Sequence, residues 1–133
     1  MREINKIIIH CSATPEGRNV LTETIRGWHI DKGWSDIGYH YVIHLDGSIH
    51  KGRLDSVIGA HVSGYNRNSI GICYVGGCDI VMRAKDTRTQ EQKESLTILI
   101  NLLKETHKTA VVHGHRDFAN KACPSFDATT EYK

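Results

Sequence analysis

Three residues of the chain have side chains of the types that bind catalytic zinc. His10 closes a short apolar segment near the start, His115 lies close to the end, and Cys123 follows eight residues later. Two imidazoles and one thiolate leave the fourth position of a tetrahedral zinc ion open, as in catalytic rather than structural sites. The chain has no paired CxxC motifs of a zinc finger or ribbon, so the spacing alone is also compatible with three unrelated polar residues at strand ends.

The neighbours of these residues leave two questions about the ligand set. His113 lies two residues before His115 and faces the same way if a strand continues through Gly114, so the pattern leaves the choice between the two histidines open. Cys11 follows His10 directly. Because successive side chains of a strand point to opposite faces, we expect Cys11 to be a core or rim residue when His10 faces the metal.

Two further residues are candidates for assisting hydrolysis at such a metal. Lys121 lies two residues before Cys123, and an ammonium beside a metal-bound substrate stabilises the oxyanion that forms when water attacks a carbonyl. Tyr39 stands near the start of a predicted strand, where side chains border clefts. Each also has an ordinary interpretation, as a solvated surface lysine and as a core tyrosine with a solvated hydroxyl.

Short strands and two helices must position these residues. Thr22 is a candidate N-cap for a helix that ends near Gly33. A second helix opens with a capping box formed by Thr89 and Gln92 and continues to about His107. The segment after residue 113 is predicted to be loop. Apolar, β-branched runs predict strands at residues 6–10, 38–45, 48–51, 69–75 and 110–113. This pattern predicts an α/β domain in which helices pack on a mixed sheet.

Length and composition restrict the class of protein. A chain of 133 residues is one domain by size, and a net charge of +2 does not favour nucleic-acid binding. The longest apolar run near the start is Ile7–Ile9, so we expect neither membrane insertion nor a signal peptide, and we predict synthesis in the cytoplasm. Four unpaired cysteines are typical of reduced thiols or metal ligands, and nine histidines direct attention to a site.

Four segments of the chain, taken in order, resemble one enzyme family. They lie at residues 9–14, 33–41, 64–72 and 115–127, with the sequences IHCSAT, GWSDIGYHY, GYNRNSIGI and HRDFANKACPSFD. Together they resemble the phage-lysozyme type of zinc N-acetylmuramoyl-L-alanine amidase, in the superfamily shared with animal peptidoglycan recognition proteins. The resemblance covers residues 6 to about 127, nearly the whole chain. Residues 78–88 match no motif of the family.

The resemblance implies a ligand set and a fold. His10, His115 and Cys123 match the family's three zinc ligands, and this match favours His115 over His113 because the family ligand stands eight residues before the cysteine. One zinc ion per chain is implied. The implied fold is a single catalytic domain over residues 1–133, with a central mixed sheet, flanking helices and a zinc-containing groove. No separate wall-binding module is expected.

Three other residues acquire roles from the same resemblance. Tyr39 matches the family's active-site tyrosine and Lys121 its active-site lysine. The match leaves open whether the tyrosine donates a proton or positions substrate. His61 matches a position in the groove and is a candidate substrate-binding residue.

The implied activity is zinc-dependent hydrolysis of the amide between N-acetylmuramic acid and L-alanine in peptidoglycan. Such a lytic enzyme is expected to be a monomer that is made in the bacterial cytoplasm and binds peptidoglycan. It would reach the cell wall after the membrane is permeabilised, as a phage or prophage lysis enzyme does, or as the cargo of a secretion system. Two other functions are retained. Some members of the superfamily bind peptidoglycan without cutting it, and some phage relatives bind an RNA polymerase. A glycosidase is disfavoured because no pair of carboxylates suited to a glycosidic bond stands out.

Overall fold

A computed structural model describes residues 2–133, whose secondary structure consists of short strands, three α-helices and two 3₁₀ turns. The helices are α1 (Thr22–Asp31), α2 (Gln90–Thr106) and α3 (Ala128–Glu131). The strands are β1 (Lys6–Cys11), β2 (Thr14–Pro15), β3 (Tyr41–Ile43), β4 (Ile49–Lys51), β5 (Ser69–Tyr74), β6 (Gly77–Cys78) and β7 (Val111–Gly114). None of the helices within residues 2–133 is both long and apolar enough to cross a membrane.

Five strands form one mixed sheet in the order β4-β3-β5-β1-β7. β1 is parallel to β5 and β7, β3 is parallel to β5, and only β4 runs antiparallel to its neighbour β3. β2 and β6 pair in a separate two-stranded sheet. The predicted α/β class with a mixed central sheet is confirmed.

The central strand β1 separates the hydrophobic core from the face that carries the candidate site. Ile7 and Ile9 belong to the large apolar cluster, which also contains residues of α2. Alternation along the strand places Ile8 and His10 on the opposite face. Cys11 belongs to the same cluster as Ile7 and Ile9, which confirms its prediction as a core or rim residue.

The helix α2 begins as its sequence predicts. Thr89 Oγ1 accepts the N–H of Gln92 at 3.1 Å, and Gln92 Oε1 accepts the N–H of Thr89 at 2.9 Å. The Gln92 amide also donates to the carbonyls of Ile43 and Val75, which joins the start of the helix to the sheet. One apolar stripe of α2 is buried against β1 and β5, namely Leu96, Leu99, Ile100 and Leu103.

Two local predictions in the first half of the chain are wrong. Thr22 is the first helical residue rather than the N-cap, which is Leu21 without a side-chain cap. The Thr22 hydroxyl is within 2.7 Å of His44 Nε2, so it is engaged by another part of the chain. The strand predicted from residue 38 begins at Tyr41, because the carbonyls of Gly38 and Tyr39 accept hydrogen bonds from Ala60 and Arg53 in an irregular loop.

The segment after β7, predicted to be loop, contains a 3₁₀ turn (His115–Asp117) and α3. Arg88, in the segment without a family motif, has a nearly buried side chain that forms ion pairs with Asp86 and Glu131. Its guanidinium lies 3.4 Å from the ring centre of Phe126. The contacts with Glu131 and Phe126 join distant parts of the chain and hold its end against the domain, and a sequence pattern does not reveal them.

Candidate active site

The three candidate ligands converge at one point. Their ligand atoms (two ring nitrogens and one sulfur) all lie within 4.8 Å of one another, and His10 Nδ1 is 4.0 Å from Cys123 Sγ. In a tetrahedral zinc site the nitrogen and sulfur ligands are about 3.5 Å apart, given bond lengths of about 2.0 and 2.3 Å. The three residues therefore fit a zinc ion after a small adjustment. Within residues 2–133 no fourth His, Cys, Asp or Glu belongs to the group.

The register of the sheet explains why two distant histidines meet. Ile9 of β1 is paired with Gly114 of β7 in a parallel ladder, so His10 and His115 are each the next residue at the same edge of the sheet. Their ring centres are 4.6 Å apart. Parallel strands end at a common edge of the sheet. The pairing of Ile9 with Gly114 therefore places the residues that follow them, His10 and His115, side by side at that edge.

Cys123 reaches the site from the loop after β7. Its carbonyl accepts the N–H of Arg116 at 2.8 Å, and its sulfur accepts the N–H of Cys11 at 3.2 Å. The contact with the Cys11 thiol, followed by burial, raises the pKa of the Cys123 thiol. A bound cation opposes this effect because it stabilises the thiolate. This donor set is therefore suited to a metal ion.

Both candidate histidines are neutral, as metal ligands must be. Burial, and then the positive charge that His61, His115 and Lys121 can carry, lowers the pKa of His10 well below its usual value. Burial and the ammonium of Lys121 likewise lower the pKa of His115. His10 is only 1% exposed, so its ring nitrogens depend on partners within the protein.

His61 supplies the partner of His10. Its Nδ1 lies 2.8 Å from His10 Nε2, and its Nε2 lies 3.1 Å from Ser69 Oγ. When His10 Nδ1 binds a metal, Nε2 carries the proton and donates it to His61 Nδ1. The absence of a side chain at Gly71 makes room for the His61 ring, since a Cβ there would come within 2.7 Å of it. Ser69 was not foreseen, and no local pattern distinguishes it.

The rival ligand His113 lies outside the group. Its Nδ1 is 3.7 Å from a carboxylate oxygen of Asp117, and its ring packs at 5.1 Å from Phe118. β7 ends at Gly114, and His115 begins the 3₁₀ turn. His113 was a candidate only if the strand continued through Gly114 and kept both histidines on one face. The strand ends there, so the two side chains do not share a face.

Tyr39 and Lys121 both border the groove at the ligand cluster. The Tyr39 ring centre is 5.0 Å from that of His10, and burial, followed by the nearby thiols, raises the pKa of its hydroxyl well above the usual value. Lys121 is exposed and lines two adjoining cavities of about 440 Å³ each, both of which also include His115. The groove therefore extends to both sides of the ligand cluster.

Comparison with known proteins finds a family and relatives that match nearly the whole chain. A family model described as N-acetylmuramoyl-L-alanine amidase matches residues 1–126. The chain is 45% identical to the endolysin of Escherichia phage T7 over 121 residues, which are 91% of this chain and 80% of the endolysin. The solved structure of the N-acetylmuramoyl-L-alanine amidase LysC from Clostridium intestinale superposes with a TM-score of 0.84 at 28% identity, covering 98% of this chain and 82% of LysC.

A second solved structure concerns ligand recognition. It contains tracheal cytotoxin bound to the ectodomain complex of the peptidoglycan recognition proteins LCa and LCx. The TM-score is 0.80 at 27% identity, with 98% of this chain and 81% of that chain covered. The fold is therefore shared by proteins described as amidases and by a complex that binds this ligand.

Proposed function

Because this chain belongs to the N-acetylmuramoyl-L-alanine amidase family, we propose that His10, His115 and Cys123 hold one zinc ion at its active site. The enzyme hydrolyses the amide between N-acetylmuramic acid and L-alanine in peptidoglycan, and thereby lyses the cell wall. The observation that carries the metal assignment is the convergence of three ligand atoms within 4.8 Å, in a groove and without a fourth ligand among residues 2–133. The proposed substrate contact is with the muramyl peptide of the wall.

Zinc, when bound in such a site, activates a water molecule near neutral pH and polarises a carbonyl. Lys121 supplies the second positive charge. Lys121 lines both cavities together with His115, so its ammonium can stabilise negative charge that develops on the oxygen of the scissile amide. This role requires charge at the site but no proton transfer from the lysine.

Tyr39 orients the substrate in this proposal. Because its pKa is raised well above the usual value, the hydroxyl stays protonated at neutral pH and acts as a hydrogen-bond donor to a substrate oxygen. A raised pKa makes the hydroxyl a weaker acid and therefore a poorer proton donor to the leaving amine. Of the two roles that the family resemblance leaves open, we therefore propose the positioning role.

His61 acts through His10 rather than on the substrate. It is 9% exposed and its two ring nitrogens are engaged by His10 and Ser69. We assign it as a positioning residue that holds the His10 ring with Nδ1 toward the metal. The family resemblance implied that His61 binds substrate, so the role proposed here is a different one.

Metal content and wall-digestion products together test the proposal. The purified protein should contain one zinc per chain and should release amino groups of L-alanine from cell walls without new reducing ends, and a chelator should abolish this release. Cys123→Ala should lose zinc and activity. Cys78→Ala, at a buried cysteine outside the ligand group, is the matched control and should retain both.

Other outcomes identify other functions. Stoichiometric zinc in an active Cys123→Ala protein would contradict the ligand assignment. New reducing ends would indicate a glycosidase, and wall binding without any cleavage would indicate a recognition protein.

We also propose that the protein acts as a monomeric single catalytic domain that is made inside the bacterial cell and reaches the wall after release, as an endolysin would. The continuous five-stranded sheet and the family match over residues 1–126 support a single domain. Binding to an RNA polymerase stays a prediction from the resemblance to phage relatives. A pull-down with phage and host polymerases tests it, and sedimentation tests the monomeric state.

A further inference from the structure

One half of the groove presents hydrogen-bond donors without any acid. This half lies between α1 and the ligand cluster, and its lining includes Trp28, His29, Lys32, Tyr39 and Lys121. Two of these residues carry ammonium groups, and no Asp or Glu is among the lining residues of this cavity. Such a surface favours a ligand group that accepts hydrogen bonds and carries negative charge.

His29 offers a donor whose orientation is determined by the backbone. Its Nδ1 accepts the N–H of Gly38 at 2.8 Å, so the proton of the neutral ring is on Nε2. Burial, followed by the charges of Lys32 and Arg53, lowers the pKa of His29 to about 4. The ring is therefore neutral at pH 7, with a single N–H group.

The Nε2 atom of His29 is open to the groove. It makes no hydrogen bond within residues 2–133. Every buried side-chain nitrogen or oxygen in that part of the chain has a hydrogen-bond partner, so this unpartnered atom is not buried. The atom therefore reaches solvent, and His29 lines this half of the groove. The ring is held on two sides by Trp34 and Tyr39, at centre distances of 4.6 and 5.4 Å.

Lys32 lies at the end of α1, three residues beyond His29. Its ammonium is 5.2 Å from the ring centre of Trp34, and it forms no ion pair with an acid within residues 2–133. Its charge is therefore available to a ligand. The shared contact with Trp34 places the two donors on the same side of the groove.

We propose that His29 and Lys32 form a subsite that recognises a free carboxylate of the stem peptide. The inference rests on the proposed function, since the peptide is the part of that substrate which carries carboxylates. His29 Nε2–H donates one hydrogen bond to the carboxylate, and Lys32 supplies the opposite charge. The subsite makes the enzyme prefer stem peptides whose carboxylate is free over those in which it is amidated.

A pair of substrates tests this preference. Two muramyl tripeptides are compared that differ only in whether the α-carboxyl group of the second stem residue is free or amidated. A hydrogen bond to a charged group supplies about tenfold or more in affinity. We therefore expect kcat/KM of the zinc-loaded enzyme to be about tenfold higher for the free acid, with most of the difference in KM. For the corresponding tripeptides without the muramyl group, calorimetry should give a Kd about tenfold lower for the free acid than for the amide.

Two variants assign the preference to these residues. His29→Asn places an amide oxygen where Nδ1 accepts the Gly38 N–H, but it has no donor at the position of Nε2. Lys32→Met keeps the length of the side chain without its charge. Each should lower the ratio of kcat/KM between the free-acid and the amidated substrate to about threefold or less, and should lower the ratio of Kd for the two tripeptides in the same way. Lys108→Met, at an exposed position in the α2–β7 loop, is the control and should keep the ratio.

Equal kcat/KM and equal Kd for the two members of each pair in the unchanged enzyme would overturn the inference. Retention of the full ratio in both His29→Asn and Lys32→Met would also overturn it. The calorimetric ratio separates this result from failure of the proposed function. If the enzyme cleaves neither substrate but binds the free-acid tripeptide about tenfold more tightly, the subsite is supported and the amidase proposal is refuted.

Discussion

Replacing His61 by leucine should weaken zinc binding although it removes no metal ligand. His61 Nδ1 lies 2.8 Å from His10 Nε2, and His61 Nε2 lies 3.1 Å from Ser69 Oγ. When His10 Nδ1 binds zinc, its Nε2 carries the proton and the His61 ring accepts it. Leucine provides no acceptor. The His10 ring then loses the contact that directs its Nδ1 toward Cys123 and His115, and its Nε2–H stays buried without a partner.

Burial determines the size of this effect. His10 is 1% exposed, so water does not readily replace the lost acceptor, and an unsatisfied buried donor costs about 1–3 kcal/mol. Substitution of a residue that orients a metal ligand typically lowers metal affinity about 10–100-fold, which is about 1.4–2.8 kcal/mol. The two estimates agree, and we expect a 10–100-fold increase in the zinc dissociation constant.

Competition with a chromophoric chelator at pH 7 measures this constant. His61→Asn is the matched control, because its amide oxygen is placed near the position of Nδ1 and can accept the same proton. It should retain zinc affinity within about fivefold. Circular dichroism of both metal-free variants checks that the fold is kept. A His61→Leu protein that is folded and binds zinc as tightly as the unchanged protein would refute the positioning role.

Two further predictions concern turnover and acid stability. Lys121→Ala and Tyr39→Phe should keep stoichiometric zinc while kcat on muramyl peptides falls about 100-fold or more; full activity in either variant would remove the role assigned to that residue. In the metal-free protein, burial, followed by positive charge on His40, lowers the pKa of His61 to about 3. Burial lowers the pKa of His40 to about 4 although its hydrogen bond with the Val57 carbonyl opposes the change; both histidines have a pKa of about 6.5 in the unfolded chain. Both rings therefore contribute full stability above pH 6.5 and lose it as the pH falls toward 4. Urea titrations should show the free energy of unfolding decreasing between pH 6 and 4.5 by about 1.4 kcal/mol per pH unit for each histidine, and a constant value over this range would contradict the assignment.

Several features of this protein follow from the sequence alone because short-range interactions determine them. The Thr89–Gln92 pair predicts the start of α2, since both hydrogen bonds of a capping box join residues three apart. The strand period of two separates Cys11 from His10. The order and spacing of four motifs indicate the family, which the comparisons confirm.

Other features depend on contacts between distant parts of the chain, and only the tertiary structure decides them. Threonine is a common N-cap residue, but the hydroxyl of Thr22 is in contact with His44. His113 and His115 are equivalent in a strand pattern until the end of β7 at Gly114 and its register with β1 place one of them beside His10. The contact between His61 and His10 spans 51 residues. Local patterns describe which face a side chain occupies, whereas the register of parallel strands and the path of loops decide which side chains meet there.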